Sequence, residues 1–366
     1  MNNHVTVLEI DGKALEHNLH YFKDKLHQKT KVLAVVKAFG YGSDGVQVAS
    51  FLSDKVNYFA VAYAHEGEAL RDADIATPIL VLHPQIKNFD QIVLNQLEPS
   101  IYNLKTLTAF LAYAKDKELI AYPIHLKFNT GLNRLGFSKE EIPLIIDCIK
   151  KSKHVKIKSI LSHLAASEDV NEQDFTLRQI NNFKQIIQEV CRHLNYTPIA
   201  HILNTSGVIN YPEAQFDMVR IGIGLYGFGN DKTETSHLKN SHILKSTISQ
   251  THVVKIGETV GYNRAFKAKK NTKIATIPIG HADGLSRKLG NGNGSVTILN
   301  QKALIVGNVC MDMIMVDVTD IKCKEGDDVF IFKTQEDILA ISSVSETISY
   351  EILTMISQRI KRTLVY

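Results

Sequence analysis

Short apolar runs alternate with stretches of helical periodicity through the first two thirds of this chain, and near residue 240 that alternation stops. The runs at 32–36, 58–63, 78–82, 125–128, 157–161 and 218–223 have the length and composition of strands buried on both faces. Between them, Leu15, Leu19, Phe22 and Leu26 recur at helical spacing, as do Phe183, Ile187, Val190 and Leu194. Buried strands separated by helices predict a parallel sheet, and about eight such units close a (β/α)8 TIM barrel of roughly 250 residues. After the switch, runs at 253–256, 274–278, 295–299, 303–306, 313–318 and 329–332 lie close together with glycines between several of them, the pattern of an all-β unit. Residues 343–361 read as helical. The sequence thus predicts an α/β chain: a TIM barrel over 1–236, then a mainly-β domain over 237–366.

Bulk properties narrow the function classes. The chain has 366 residues, 44% of them hydrophobic, which supports a substantial core. Its net charge of +4 gives no argument for nucleic acid or an anionic membrane as partner. No apolar run approaches the about 20 residues that span a bilayer. Cys148, Cys191, Cys310 and Cys323 form no C-x-x-C pair and read as reduced thiols. The first residues lack the basic and apolar regions of a signal peptide. The expectation is a soluble, cytoplasmic protein.

Lys37 directly follows the run at 32–36. A barrel strand would deliver it to the C-terminal mouth, where barrel enzymes keep their chemistry. There a desolvated amine serves Schiff-base formation, whereas a lysine on the rim only places its head in water. The residues around it favour the first reading. The segment Ala34-Val35-Val36-Lys37-Ala38-Phe39-Gly40-Tyr41-Gly42 resembles the A-V-V-K-A-N-A-Y-G segment of alanine racemases. Residues 127–136 resemble K-V-D-T-G-M-x-R-L-G, Ser162-His163-Leu164-Ala165 resembles S/T-H-F-A, and Asn204-Thr205-Ser206-Gly207 matches N-S/T-x-A/G. Met218-Val219-Arg220-Ile221-Gly222-Ile223 resembles M-V-R-x-G-I, and Cys310-Met311-Asp312 matches C-M-D. These motifs stand in the family's order along nearly the whole chain.

The resemblance implies a pyridoxal 5'-phosphate enzyme with the cofactor as a Schiff base on Lys37, making D-alanine, a peptidoglycan precursor. It implies that Tyr41, Thr205, Gly222 and Ile223 hold the phosphate, with His163, Asn204 and Tyr350 also around the cofactor. Arg220 would face the pyridine nitrogen. A guanidinium only donates and stays charged near neutrality, so the nitrogen would remain unprotonated and the electron sink weakened. That suits an enzyme that only moves an α proton. Lys37 would work on one face of the α carbon and Tyr262 on the other. The family places that tyrosine in the partner subunit of a homodimer, with His163 and Arg220 hydrogen-bonding toward it. A free phenol has a pKa of about 10, so it needs such help. Arg134 would bind the substrate carboxylate and Lys127 would be carbamylated beside it. Met311 would offer its backbone N–H from the partner subunit, on a loop supported by Asp312. His281 and Tyr350 would form the entrance gate.

The chain departs from the family pattern at four places. Phe39-Gly40 stands for Asn-Ala, Ser43 for a common histidine, Asn129 for the usual aspartate, and His281 for a gate tyrosine. Three other readings have been weighed. A barrel decarboxylase would pair its pyridine with glutamate and carry a glycine run that is absent here. A non-catalytic pyridoxal-phosphate carrier would lack the β domain. A racemase of serine or a broader set of amino acids differs from the alanine reading only through Tyr350.

Overall fold

The computed structural model describes residues 4–366. Eight parallel strands form one sheet: β2 (Lys31–Val35), β3 (Tyr58–Val61), β4 (Ile79–Val81), β5 (Glu98–Ile101), β6 (Tyr122–Lys127), β7 (Val155–Leu161), β8 (Ile199–His201) and β9 (Met218–Ile221). Strand β9 returns to pair with β2, Val32 opposite Val219 and Leu33 opposite Arg220. The ring closes between β8 and β9, where Asp217 N–H donates to the Ala200 carbonyl (3.1 Å) and Arg220 N–H to that of Leu203 (3.0 Å). The result is the (β/α)8 barrel, with helices outside. The helix Gln173–Arg192 buries Ile180, Phe183, Ile186 and Val190 along one stripe. The barrel interior departs from the usual branched apolar filling. Ser100, His125, Ser159 and His201 are all fully buried there.

The opening strand, β1 (Val7–Asp11), is not a barrel strand. It runs parallel to the last strand, β19 (Lys361–Val365), and antiparallel to β10 (His242–Thr247). The chain thus begins and ends side by side in the second domain's sheet. That nine-stranded sheet also holds β11 (Gln250–Val254), β14 (Thr272–Ile277), β15 (Ser295–Ile298), β16 (Gln301–Val306), β17 (Ile314–Asp317) and β18 (Asp328–Phe332). A separate hairpin pairs β12 (Thr259–Val260) with β13 (Phe266–Lys267), and Tyr262 sits in its turn. The helical expectation over 343–361 is met in part. Helices at Gln335–Ser345 and Ser349–Thr354 are parted by Glu346 at φ 57°, and the chain then turns into β19. Among the described residues, no helix is long and apolar enough to cross a membrane.

Candidate active site

Lys37 follows the end of β2 by two residues at the mouth of the barrel, and the backbone after it turns the wrong way for L-residues. Ala38, Phe39, Gly40, Tyr41 and Gly42 all have positive φ, from 53° to 83°. They form a left-handed helical turn, closed by Gly40 N–H to Val36 O (3.0 Å) and Gly42 N–H to Ala38 O (3.0 Å). Each non-glycine residue there costs roughly 1–2 kcal/mol, which the surroundings must offset. Glu66 is one support: its carboxylate accepts from Ala38 N–H (2.7 Å) and Ala62 N–H (2.6 Å). Arg362 is another, donating from Nε to the Gly42 carbonyl (2.9 Å). The turn swings Tyr41 back over the mouth. A Cβ on Gly222 would lie 2.5 Å from the Tyr41 hydroxyl, so any larger residue there would push the Tyr41 ring aside.

The mouth holds a cavity of about 570 Å³ lined by Lys37, Tyr41, Lys127, Arg134, His163, Asn204, Thr205, Arg220, Gly222, Ile223 and Tyr350. Four of these are cations, and among the described residues no carboxylate lines the cavity. Crowding among them has consequences. Burial, then Arg134, hold the Lys37 amine below its ordinary value; Glu66 opposes them, and Arg220 adds a smaller push in the same direction as Arg134. Burial, then Arg134, lower Lys127 to about 8. Among the described residues Arg134 has no carboxylate partner.

Arg220 is buried and satisfied almost wholly by neutral acceptors. It donates to the carbonyls of Ser162 (2.8 Å), Ile202 (2.8 Å) and His201 (3.3 Å), and to Nδ1 of His163 (3.0 Å) and of His201 (2.9 Å). A guanidinium has no acceptor, so both imidazoles present a bare Nδ1 and carry their proton on Nε2. Burial and then Arg220 hold both histidines well below the usual range, which agrees. Thr205 Oγ1 accepts from Gly222 N–H (3.1 Å) and Gly224 N–H (3.4 Å), fixing the glycine turn beneath Tyr41. Asn204 spends its side-chain oxygen on Gly207 N–H (2.9 Å) and Ser167 Oγ (2.8 Å), so it shapes the start of the Thr205–Asn210 helix. Tyr350 packs on Tyr41 at 6.1 Å between ring centres, and burial with the nearby Glu168 pushes its phenol up to about 12. Asn129 organises the loop that carries Arg134: its Oδ1 accepts from Gly131 N–H (3.1 Å) and Asn133 N–H (2.9 Å).

The chain matches the family model "Alanine racemase, N-terminal domain" over residues 10–229 and "Alanine racemase, C-terminal domain" over 242–364. The chain belongs to the alanine racemase family. Alanine racemase 2 of Oceanobacillus iheyensis is 36% identical, the match covering 98% of this chain and 92% of that protein. Alanine racemase 1 of Caldanaerobacter subterraneus is 32% identical, with 99% and 95% covered. Among solved structures, alanine racemase of Clostridium difficile superposes with a TM-score of 0.94 at 32% identity, covering 100% and 97% of the two chains. The Bartonella henselae enzyme, solved with covalently bound pyridoxal phosphate, gives 0.87 at 29% identity, with 99% of each chain covered. Alanine racemases are isomerases that depend on pyridoxal phosphate.

The remaining family positions stand elsewhere. Tyr262 is 73% exposed and Met311 is 59% exposed. With Asp312 they line a separate depression of about 600 Å³ on the second domain. His281 lies against the same loop, its N–H donating to the Cys310 carbonyl (2.9 Å). Arg359 bridges Asp283 and Asp312 at 2.6 Å each, tying the segment after His281 to the Met311 loop. None of Tyr262, Met311, Asp312 or His281 lines the barrel cavity. Sequence reading passed over His201, which touches Arg220, and Tyr63 and His83, which line the cavity. The one available signal was a histidine inside the otherwise apolar segment 199–203.

Proposed function

We propose that this chain interconverts L- and D-alanine, using pyridoxal phosphate held on Lys37 and a second proton-transfer group, Tyr262, supplied by another copy of the chain. The carrying observation is a cavity lined by four cations and, among the described residues, no carboxylate, with its lysine amine held below the ordinary range. The lining fits the group. Tyr41, Thr205 and the Gly222 turn offer a hydroxyl-rimmed cradle for a phosphate, which a Cβ at 222 would fill. Bound there, pyridoxal phosphate supplies an electrophile that takes up the electron pair left when the α proton departs.

The chain's own residues do the rest. Arg134 holds the substrate carboxylate in a planar fork. Lys37 Nζ takes or gives the proton on one face of the α carbon. Arg220 only donates, so a ring nitrogen held against it would keep its lone pair, which would favour return of the α proton over transamination. His163, with its proton on Nε2, has a donor to offer the Tyr262 oxygen and so favours the phenolate. Lys127, lowered to about 8, reacts with carbon dioxide to give a carbamate and a proton; the new anion then holds Arg134. Burial of the Tyr262 face by a second copy completes the site as a homodimer. It also covers Met311, whose backbone N–H is left for the substrate carboxylate. Tyr350 narrows the entrance and His281 stands at its rim. All four cysteines are free, as the cytoplasm would keep them.

D-Alanine incubated with the protein and pyridoxal phosphate in deuterated water should yield L-alanine carrying deuterium at the α carbon. Release of carbon dioxide without the L-enantiomer would overturn the assignment.

A further inference from the structure

The polar side chains inside the barrel join into one chain that starts at Arg220 and leaves the mouth altogether. Beyond His201, its Nε2 lies 3.0 Å from Ser159 Oγ. Ser159 Oγ lies 2.5 Å from Nδ1 of His125, and His125 Nε2 lies 2.7 Å from a Glu98 carboxylate oxygen. The residues sit on β9, β8, β7, β6 and β5 in turn, so the chain crosses five consecutive strands. Glu98 is the first residue of β5, at the far end of the barrel from the mouth.

The direction of every bond follows from the two ends. Arg220 only donates, and a carboxylate only accepts. His201 therefore accepts at Nδ1 and donates from Nε2 to Ser159. The Ser159 hydroxyl is fully buried with these two partners alone, so its hydrogen goes to His125 Nδ1. His125 then donates from Nε2 to Glu98. Run backwards, the chain would place a His201 N–H against the Arg220 N–H. A buried donor left unpartnered is costly, so one arrangement stands.

We infer that Glu98, His125 and Ser159 are positioning residues for Arg220: the remote carboxylate polarises each bond back to His201, makes its Nδ1 a stronger acceptor for the guanidinium and so holds the cation in place at the barrel mouth. Arg220 has no carboxylate among its own partners, and this chain is how an anion reaches it. The inference rests on the reading of Arg220 as the ring's partner. The hydrogen-bonded chain itself is testable without cofactor.

Apoprotein labelled with 15N-histidine should show His201 and His125 each protonated at Nε2 alone. In Glu98→Gln the neutral amide accepts from His125 less strongly, so every bond back to His201 weakens; the signals of both histidines should move while each keeps its proton on Nε2. Movement of His125 alone would overturn the proposal, since a merely structural contact reaches no further. Ser159→Ala cuts the chain without touching Glu98 and should shift His201 in the same way; it decides the matter if the first variant fails to fold. In the holoenzyme, kcat for alanine should fall about three- to tenfold in either folded variant with KM nearly unchanged. Unaltered kcat alongside shifted His201 signals would remove the positioning role while leaving the reading of Lys37 untouched.

Discussion

The barrel mouth and the outer face of the second domain carry complementary halves of the proposed chemistry, and they are finished to different degrees. At the mouth, Arg220 is 5% exposed and makes five hydrogen bonds within its own chain. On the outer face, the Tyr262 phenol is without a hydrogen bond among the described residues, and Met311 stands exposed beside it. Burial explains the contrast. A guanidinium taken out of water must find its acceptors in the same fold, or the fold fails. A phenol left in water has no such need, and its environment is free to be set later, by assembly. Met313, 46% exposed, lines the same depression and extends the apolar character of that face.

The largest test of this contrast is complementation. Lys37→Ala and Tyr262→Phe should each lower racemisation by about a hundredfold or more, and only the first should lose the visible cofactor band. Mixed under conditions of subunit exchange, the two inactive proteins should regain roughly a quarter of native activity, because half the dimers are mixed and each holds one intact site. No recovery would mean that each chain completes its own site. A middle-sized effect concerns Lys127. An amine lowered to about 8 is protonated below that pH and nucleophilic above it. With 13C-labelled carbon dioxide at fixed dissolved concentration, a carbamate resonance should grow as pH rises through 8 and be absent from Lys127→Ala. A resonance that survives in the variant would place the modification elsewhere. The smallest effect is expected at Arg359. Its pair with Asp312 is exposed and worth little, and the buried Asp283 keeps the Gly280 N–H as a second partner. Arg359→Ala should raise KM for alanine less than about fivefold and leave the cofactor band alone. A changed band would tie this clamp to the barrel mouth instead.

The strands that sequence reading missed are instructive. β5 is Glu98-Pro99-Ser100-Ile101 and β8 is Ile199-Ala200-His201, and neither is an apolar run. They escape the pattern because their inward side chains are polar: Glu98 and Ser100 in β5 and His201 in β8, with Glu98 and His201 both members of the buried chain. β1 was not read as a strand and fell within the expected barrel, since pairing between residues 7–11 and 361–365 leaves no local signal. Over 343–361 helical spacing was real, but nothing in it announced the reversal at Glu346. The mouth was far more legible, because Lys37, Arg134, His163, Thr205 and Arg220 each lie in a recognisable motif. Asn129 was read as a loss of charge beside Lys127; its hydrogen bonds make it a loop former, which spacing could not reveal.

The left-handed turn behind Lys37 inverts the ordinary rules of helix improvement. Alanine, the best residue in a right-handed helix, is among the least comfortable at position 38, while glycine and asparagine would relax the turn. A stabilisation campaign that scored residues 38–42 for conventional helicity would therefore press the backbone toward the opposite hand and draw Tyr41 off the mouth. In this segment poor helix formers are the conservative substitutions, and thermostability gained there by standard substitutions would come at the expense of the cofactor's seat.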